Sequence, residues 1–169
     1  MREATASAPG KVNLLLRVGP PGQDGYHPLV TVFESLDLRE TVHARTTRAP
    51  GIHVRTTVRR PDGSTDRDAS AAIDRLPADR HLAVRAASLL RRLAATGPWA
   101  QTASGVSLEV DKRVPVAGGM AGGSADAAAT LVACNELWGL GLDTERLQAL
   151  GRTLGADVPD CLVGGIALG

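Results

Sequence analysis

The sequence contains no apolar run long enough to span a bilayer. Its alanine-rich stretch after the central glycines carries Asp126, Asn135 and Glu136, which a lipid-facing helix would not tolerate. The first ten residues are small and polar, without the basic-then-apolar order of a secretion signal. Cysteine is scarce. Cys134 and Cys161 are the only two, too few for a disulfide framework, and both fall inside expected elements as small core residues of a reducing compartment. Charge of one sign is also missing. Lys+Arg 19 against Asp+Glu 18 leaves a net charge of +1, which gives no footing for a nucleic acid or an anionic membrane surface. His27, His43, His53 and His81 lack metal-ligand spacing with cysteine or carboxylate. No Gly-x-Ser-x-Gly elbow, internal repeat, low-complexity tract or interdomain linker can be read. These absences lead us to expect one cytoplasmic globular domain over residues 1–169.

The content that is there supports a packed core, with 43% hydrophobic and 22% charged residues in 17.5 kDa. Val12, Leu14, Leu16 and Val18 alternate as a strand entered through Pro9-Gly10, and residues 19–25 form a turn-rich loop. A second strand is expected around 29–38, with shorter β-like runs near 41–45 and 52–58. Residues 59–79 are polar and charged and read as a surface loop or local insertion. Leu82, Ala86, Leu89, Leu90 and Leu93 recur at helical spacing opposite Arg85, Arg91 and Arg92. Val106, Leu108 and Val110 alternate again, and a helix with Ala127, Leu131, Cys134 and Trp138 on one stripe follows. Asp143 is placed to cap the next helix, with Leu142 and Leu147 as its staple and Gly155 as its stop. The run 161–169 reads as a strand. Strands come in a block before helices, which favours α+β.

Between the last alternating strand and the alanine-rich helix lies Pro115-Val116-Ala117-Gly118-Gly119-Met120-Ala121-Gly122-Gly123-Ser124-Ala125. Glycines let a ligand approach the backbone closely, and a helix start offers unpaired N–H donors with partial positive charge. The junction is therefore suited to phosphate. It is neither a Walker A loop, since no Gly-Lys-Ser/Thr closes it, nor a G-x-G-x-x-G turn. Lys11 and Lys112 are the only lysines, and each adjoins a candidate functional segment. Asp157 lies in Gly155-Ala156-Asp157-Val158-Pro159, where Val158 before proline is expected to be extended.

Four segments, Pro9-Gly10-Lys11-Val12-Asn13, Gly25-Tyr26-His27, the glycine loop and Gly155-Ala156-Asp157-Val158-Pro159, occur in this order. Together they resemble the GHMP kinases, and the second and fourth narrow the resemblance to the branch acting on 4-diphosphocytidyl-2-C-methyl-D-erythritol. The resemblance implies a ribosomal-S5-domain-2-like α+β domain that binds ATP and Mg²⁺ and phosphorylates that small molecule. It implies that residues 115–125 wrap the ATP phosphates and that Asp157 takes the proton of the substrate's 2-hydroxyl. Lys11 would orient that hydroxyl, Asn13, Tyr26 and His27 would line the substrate pocket, and Ser124 or Asp126 would help hold Mg²⁺. Asp160 and His81 depart from the family pattern, which favours a large apolar residue and an asparagine there. The resemblance also implies a second domain that closes the cleft, so residues 1–169 are expected to be the N-terminal, ATP-binding half. Two other readings stay open at this point, a different GHMP kinase and a domain that binds nucleotide without turnover.

Overall fold

The computed structural model describes residues 2–20, 22, 28–100, 103 and 105–168. Six strands form one sheet in the order β1-β2-β5-β3-β4, with β6 on β2. These are β1 (Glu3–Val18), β2 (Leu29–Thr46), β3 (Gly51–Arg59), β4 (Thr65–Asp66), β5 (Gly105–Lys112) and β6 (Ile166–Leu168). All pairings are antiparallel except β3 with β5, so the sheet is mixed. The α+β expectation holds.

Several elements run further than their apolar periodicity suggests. β1 begins at Glu3 because Ala4, Ala6 and Ala8 alternate inward as small residues. Pro9-Gly10 therefore lies within the strand rather than at its entrance, at a register shift between Pro9 and Lys11. β2 is a single strand through 46 and not two, because the charged break at Arg39-Glu40 is itself paired with β1. Residues 59–79 are not a plain loop. They contain β4 and α1 (Arg67–Asp74), whose N-cap Asp66 accepts from the Ala69 N–H. Polar contacts dock this helix on β3. Asp74 accepts from the Thr56 N–H at 2.7 Å, and Ser70 Oγ accepts from the Val58 N–H at 2.9 Å.

The remaining helices are α2 (Leu82–Ala95), α3 (Gly122–Trp138), α4 (Thr144–Arg152) and α5 (Val158–Val163). Asp143 caps α4 as its sequence suggests, accepting from the Arg146 N–H at 2.9 Å. The expected terminal strand over 161–169 is corrected. Residues 161–163 finish α5, Gly164 and Gly165 turn the chain at φ +73° and +80°, and only 166–168 pair with β2. Val158 is helical rather than extended. Pro159 sits in the first turn, where its missing N–H costs nothing, and Val158 is fully buried against Gly151.

α2 and α3 pack side by side on the sheet, α3 against β1 and β2 and α2 against β3. Only four aromatic side chains exist in the sequence, Trp 2, Tyr 1 and Phe 1. The core is instead closed by small residues. Ala83, Ala86, Ala87, Ala127, Ala128 and Ala129 are fully buried against Val42, Val106 and Leu108. Such side chains let helix and sheet backbones approach closely, and α3, apolar on nearly all sides, belongs in the interior. Among the described residues no helix is long and apolar enough to cross a membrane.

Candidate active site

The chain from 112 to 126 leaves β5, crosses the glycine-rich loop and enters α3. Gly118 N–H donates to the Pro115 carbonyl at 3.2 Å, closing a turn. Ala117, Gly119 and Ala121 hold left-handed backbone at φ 60°, 72° and 56°. For alanine that conformation costs about 1–2 kcal/mol per residue, so the surroundings must impose it. Ala121 is the N-cap of α3 and makes no side-chain cap bond. The amides at Gly122 and Gly123 thus open the helix without an intrahelical acceptor. Residues 115–123 line a cleft of about 340 Å³, closed on its other side by Ile73, Leu76, Arg80, His81 and Leu82. Of the predicted phosphate-binding run, Ser124 and Ala125 lie instead within the first turn of α3, and Ala125 is buried.

Lys11 meets this loop directly, its N–H donating to the Met120 carbonyl at 3.0 Å. Gly10 makes the approach possible, since a Cβ there would stand 3.1 Å from the same carbonyl and 3.0 Å from Val114. The Lys11 ammonium donates to Asn13 Oδ1 at 2.6 Å, lies 3.9 Å from Asp157 Oδ1 and sits 4.6 Å from the centre of the Phe33 ring. Asn13 in turn donates to Thr31 Oγ1 at 2.7 Å, and Thr31 donates to the Leu15 carbonyl. Lys11 is 8% exposed, so its orientation is set by these partners. Asp157 is the N-cap of α5 with no side-chain cap bond, which leaves its carboxylate toward Lys11. Lys11, Asn13 and Asp157, read from distant segments, converge at the end of the loop. Tyr26 and His27 lie outside the described residues.

The two departures from the family pattern have physical consequences. Burial and the neighbouring Asp157 charge push the Asp160 carboxyl above its ordinary range, opposed by Lys11. His81 precedes α2 without capping it by its side chain, and its Nε2 lies 3.3 Å from Thr56 Oγ1. Burial and the Lys112 charge push its pKa down, which favours the neutral ring.

A second charged cluster lies beneath the loop, of which the sequence singled out Lys112 and Asp126 but not Glu40. Lys112 donates to Glu40 Oε1 at 2.8 Å and to Asp126 Oδ2 at 2.5 Å. Glu40 is fully buried, and its other oxygen accepts from the Arg113 N–H at 2.7 Å. Burial pushes Asp126 up to about 7 against the pull of Lys112, and Glu40 adds to the rise. Burial likewise raises Glu40. Lys112 stays above its usual range because both carboxylates outweigh its own burial. Burial sets the direction for the two carboxylates against the pull of their shared cation, and the two carboxylates set it for the lysine. The rarity of lysine was the signal for this cluster, while Glu40 carried none.

Asp126 Oδ1 is buried and has no hydrogen-bond partner among the described residues, and the residue lines the cleft. This spare oxygen, with the Ser124 hydroxyl nearby in sequence, suits a hard cation. No group of three or more His, Cys, Asp or Glu that could hold a metal occurs among the described residues. Mg²⁺ would therefore take most of its ligands from phosphate and water, its usual habit.

Comparison with known proteins decides the family. The profile of the GHMP kinases N terminal domain matches residues 81–165, which span α2, β5, the loop, α3, α4 and α5. The chain belongs to the GHMP kinases. Within this family it is 48% identical over 169 residues to the 4-diphosphocytidyl-2-C-methyl-D-erythritol kinase of Paenarthrobacter aurescens (strain TC1), covering 99% of this chain and 49% of that one. It is 52% identical over 164 residues to the protein of that name from Leifsonia xyli subsp. xyli, with 96% and 47% covered. A crystal structure of 4-(cytidine 5'-diphospho)-2C-methyl-D-erythritol kinase superposes with a TM-score of 0.67 at 36% identity, covering 98% of this chain and 52% of the other. Homoserine kinase from Cytophaga hutchinsonii superposes at 0.65 with 22% identity, a likeness of fold. This GHMP kinase chain spans about half the length of the curated relatives it matches.

Proposed function

We propose that residues 1–169 form the ATP-binding half of a cytoplasmic 4-diphosphocytidyl-2-C-methyl-D-erythritol kinase. The observation that carries this reading is the meeting of Lys11, Asn13 and Asp157 at the end of a loop built for phosphate. In the proposed reaction the substrate's 2-hydroxyl oxygen attacks the γ-phosphorus of ATP. The bond from that phosphorus to its bridging oxygen breaks, ADP leaves, and the hydroxyl proton passes to the Asp157 carboxylate. Lys11, fixed by Asn13 and the Phe33 face, orients the attacking oxygen and offsets charge as it develops. Main-chain donors within residues 116–123 hold the phosphates, and Tyr26 and His27 line the substrate pocket with Asn13. Mg²⁺ when bound supplies charge neutralisation at the phosphates, with Ser124 and Asp126 as the protein groups that would hold it.

Phosphoryl transfer is mostly positioning and charge stabilisation, which a rigid lysine, one carboxylate and a helix start can provide. The near-48% identity to kinases of this name favours the cytidylated substrate over the alcohols of other GHMP kinases. The test is a substrate panel on the full-length gene product with ATP, comparing 4-diphosphocytidyl-2-C-methyl-D-erythritol with homoserine and mevalonate. The expected result is ADP release with the cytidylated polyol alone. Turnover of homoserine or mevalonate instead would assign a different kinase, and ATP binding without turnover of any would leave a nucleotide-binding domain.

A further inference from the structure

The buried cluster under the loop belongs to neither the phosphate donors nor the reacting groups, yet it touches both ends of the loop. Glu40 comes from β2, Lys112 from the end of β5 just before the loop, and Asp126 from the second turn of α3 just after it. Glu40 Oε2 accepts from the Arg113 N–H at 2.7 Å and stands 3.5 Å from the Val114 nitrogen, fixing the strand as it leaves the sheet. Lys112 Nζ bridges Glu40 Oε1 and Asp126 Oδ2. Gly122, the first residue of α3, lets the helix close down on this cluster, because a Cβ there would lie 3.1 Å from Glu40 Oε1.

We propose that Glu40, Lys112 and Asp126 form a positioning clasp that holds both ends of the phosphate loop, so that its donors are set before nucleotide arrives. Burying three ionisable groups is expensive, and replacing such clusters by apolar residues is often neutral or stabilising. Stability alone is therefore a weak reason for this cluster. The loop supplies a better one. Ala117 and Ala121 sit in left-handed backbone, a conformation that persists only where the surroundings over-determine it. A loop tethered at one end would relax toward unstrained angles. Tethered at both, it holds its unpaired amides toward the cleft, and a preformed site avoids an ordering cost on binding. Glu40 is the keystone, since of the three it bonds both the lysine and the backbone leaving β5, and it stands where a Cβ on Gly122 would meet it.

The proposal rests on the phosphate-binding reading of the loop, and its test separates the two. The Lys11 amide donates to Met120 inside the loop, so its hydrogen exchange in nucleotide-free full-length protein reports loop position without any ligand. Glu40→Gln keeps the shape and removes the charge. It should keep the wild-type circular dichroism, speed exchange at Lys11 and Gly118, and weaken ATP binding about tenfold, the scale of one charged hydrogen bond. The KM for the alcohol substrate should stay near wild type. If Glu40→Gln does not fold, the double variant Glu40→Gln/Lys112→Met, which leaves no unpaired buried cation, replaces it with the same expected exchange and ATP effects. Wild-type exchange at Lys11 and Gly118 in a folded variant overturns the clasp. Faster exchange in a protein whose wild type binds no ATP would keep the clasp and sink the phosphate reading.

Discussion

Asp126 shows how one side chain can join packing, charge and pH. Its carboxyl is raised from 3.8 to about 7, chiefly by burial. Between those values the folded protein keeps a proton that the unfolded chain releases. The stability from this group is therefore full below about pH 4 and lost as pH rises to about 7. Glu40 is raised as well and acts in the same sense. His81, lowered from 6.5 by burial and Lys112, acts oppositely, since its contribution is present above that value and lost as pH falls. Asp126→Asn removes one of these and leaves the rest. Its melting temperature relative to wild type should rise steadily from about pH 4 to about pH 7 and level off above that. A difference that stays constant with pH would show that Asp126 does not titrate in this range. The thiols take no part, since burial pushes both Cys134 and Cys161 up to about 12.

At the scale of elements, the loop and the helix after it show two separate demands on glycine. Gly119 has φ +72° with open space around its Cα, so a side chain there suffers from the backbone angle and from filling the phosphate side. Gly122 has an ordinary angle but stands against Glu40 and Val114, so a side chain there suffers from contact. Gly119→Val and Gly122→Val should both abolish ATP binding by calorimetry. Gly122→Val should also lower the melting temperature more, by overpacking of about 1–3 kcal/mol. Unchanged ATP affinity in either variant would contradict the assignment of the loop. The same elements show what the sequence made legible. The alternation of Val106, Leu108 and Val110, the Asp143 cap and the glycine run were readable because each signal is local. The helix α1 was hidden in a polar segment because it buries none of its own residues and docks by Ser70 and Asp74. Asp157 was placed in the right turn with the wrong neighbour geometry, because tertiary packing of Val158 overrides the bias that proline imposes. Glu40 was unreadable, since a lone glutamate in a strand reads as solvent-facing until its lysine is found.

At the scale of the whole molecule, the site lies where strands, loop and the short helix α5 meet. Beyond it, at the same end of the sheet, Leu14, Leu16, Val18, Val30, Ile166 and Leu168 are all more than half exposed. By strand register Leu16 and Val18 lie on one face of the sheet and Val30, Ile166 and Leu168 on the other, so apolar side chains are exposed on both faces there. Enclosure also matters for the chemistry, because phosphoryl transfer to an alcohol must exclude water as a competing acceptor. The account is therefore tested most directly in the full-length gene product. The decisive measurement is transfer of the γ-phosphoryl of ATP to 4-diphosphocytidyl-2-C-methyl-D-erythritol by wild type and by Asp157→Asn, with ATP affinity measured alongside. The account predicts turnover by wild type and a loss of about 10²–10⁴-fold in kcat for Asp157→Asn, the usual worth of a general base, with ATP affinity nearly unchanged. Near-normal turnover by Asp157→Asn would contradict it.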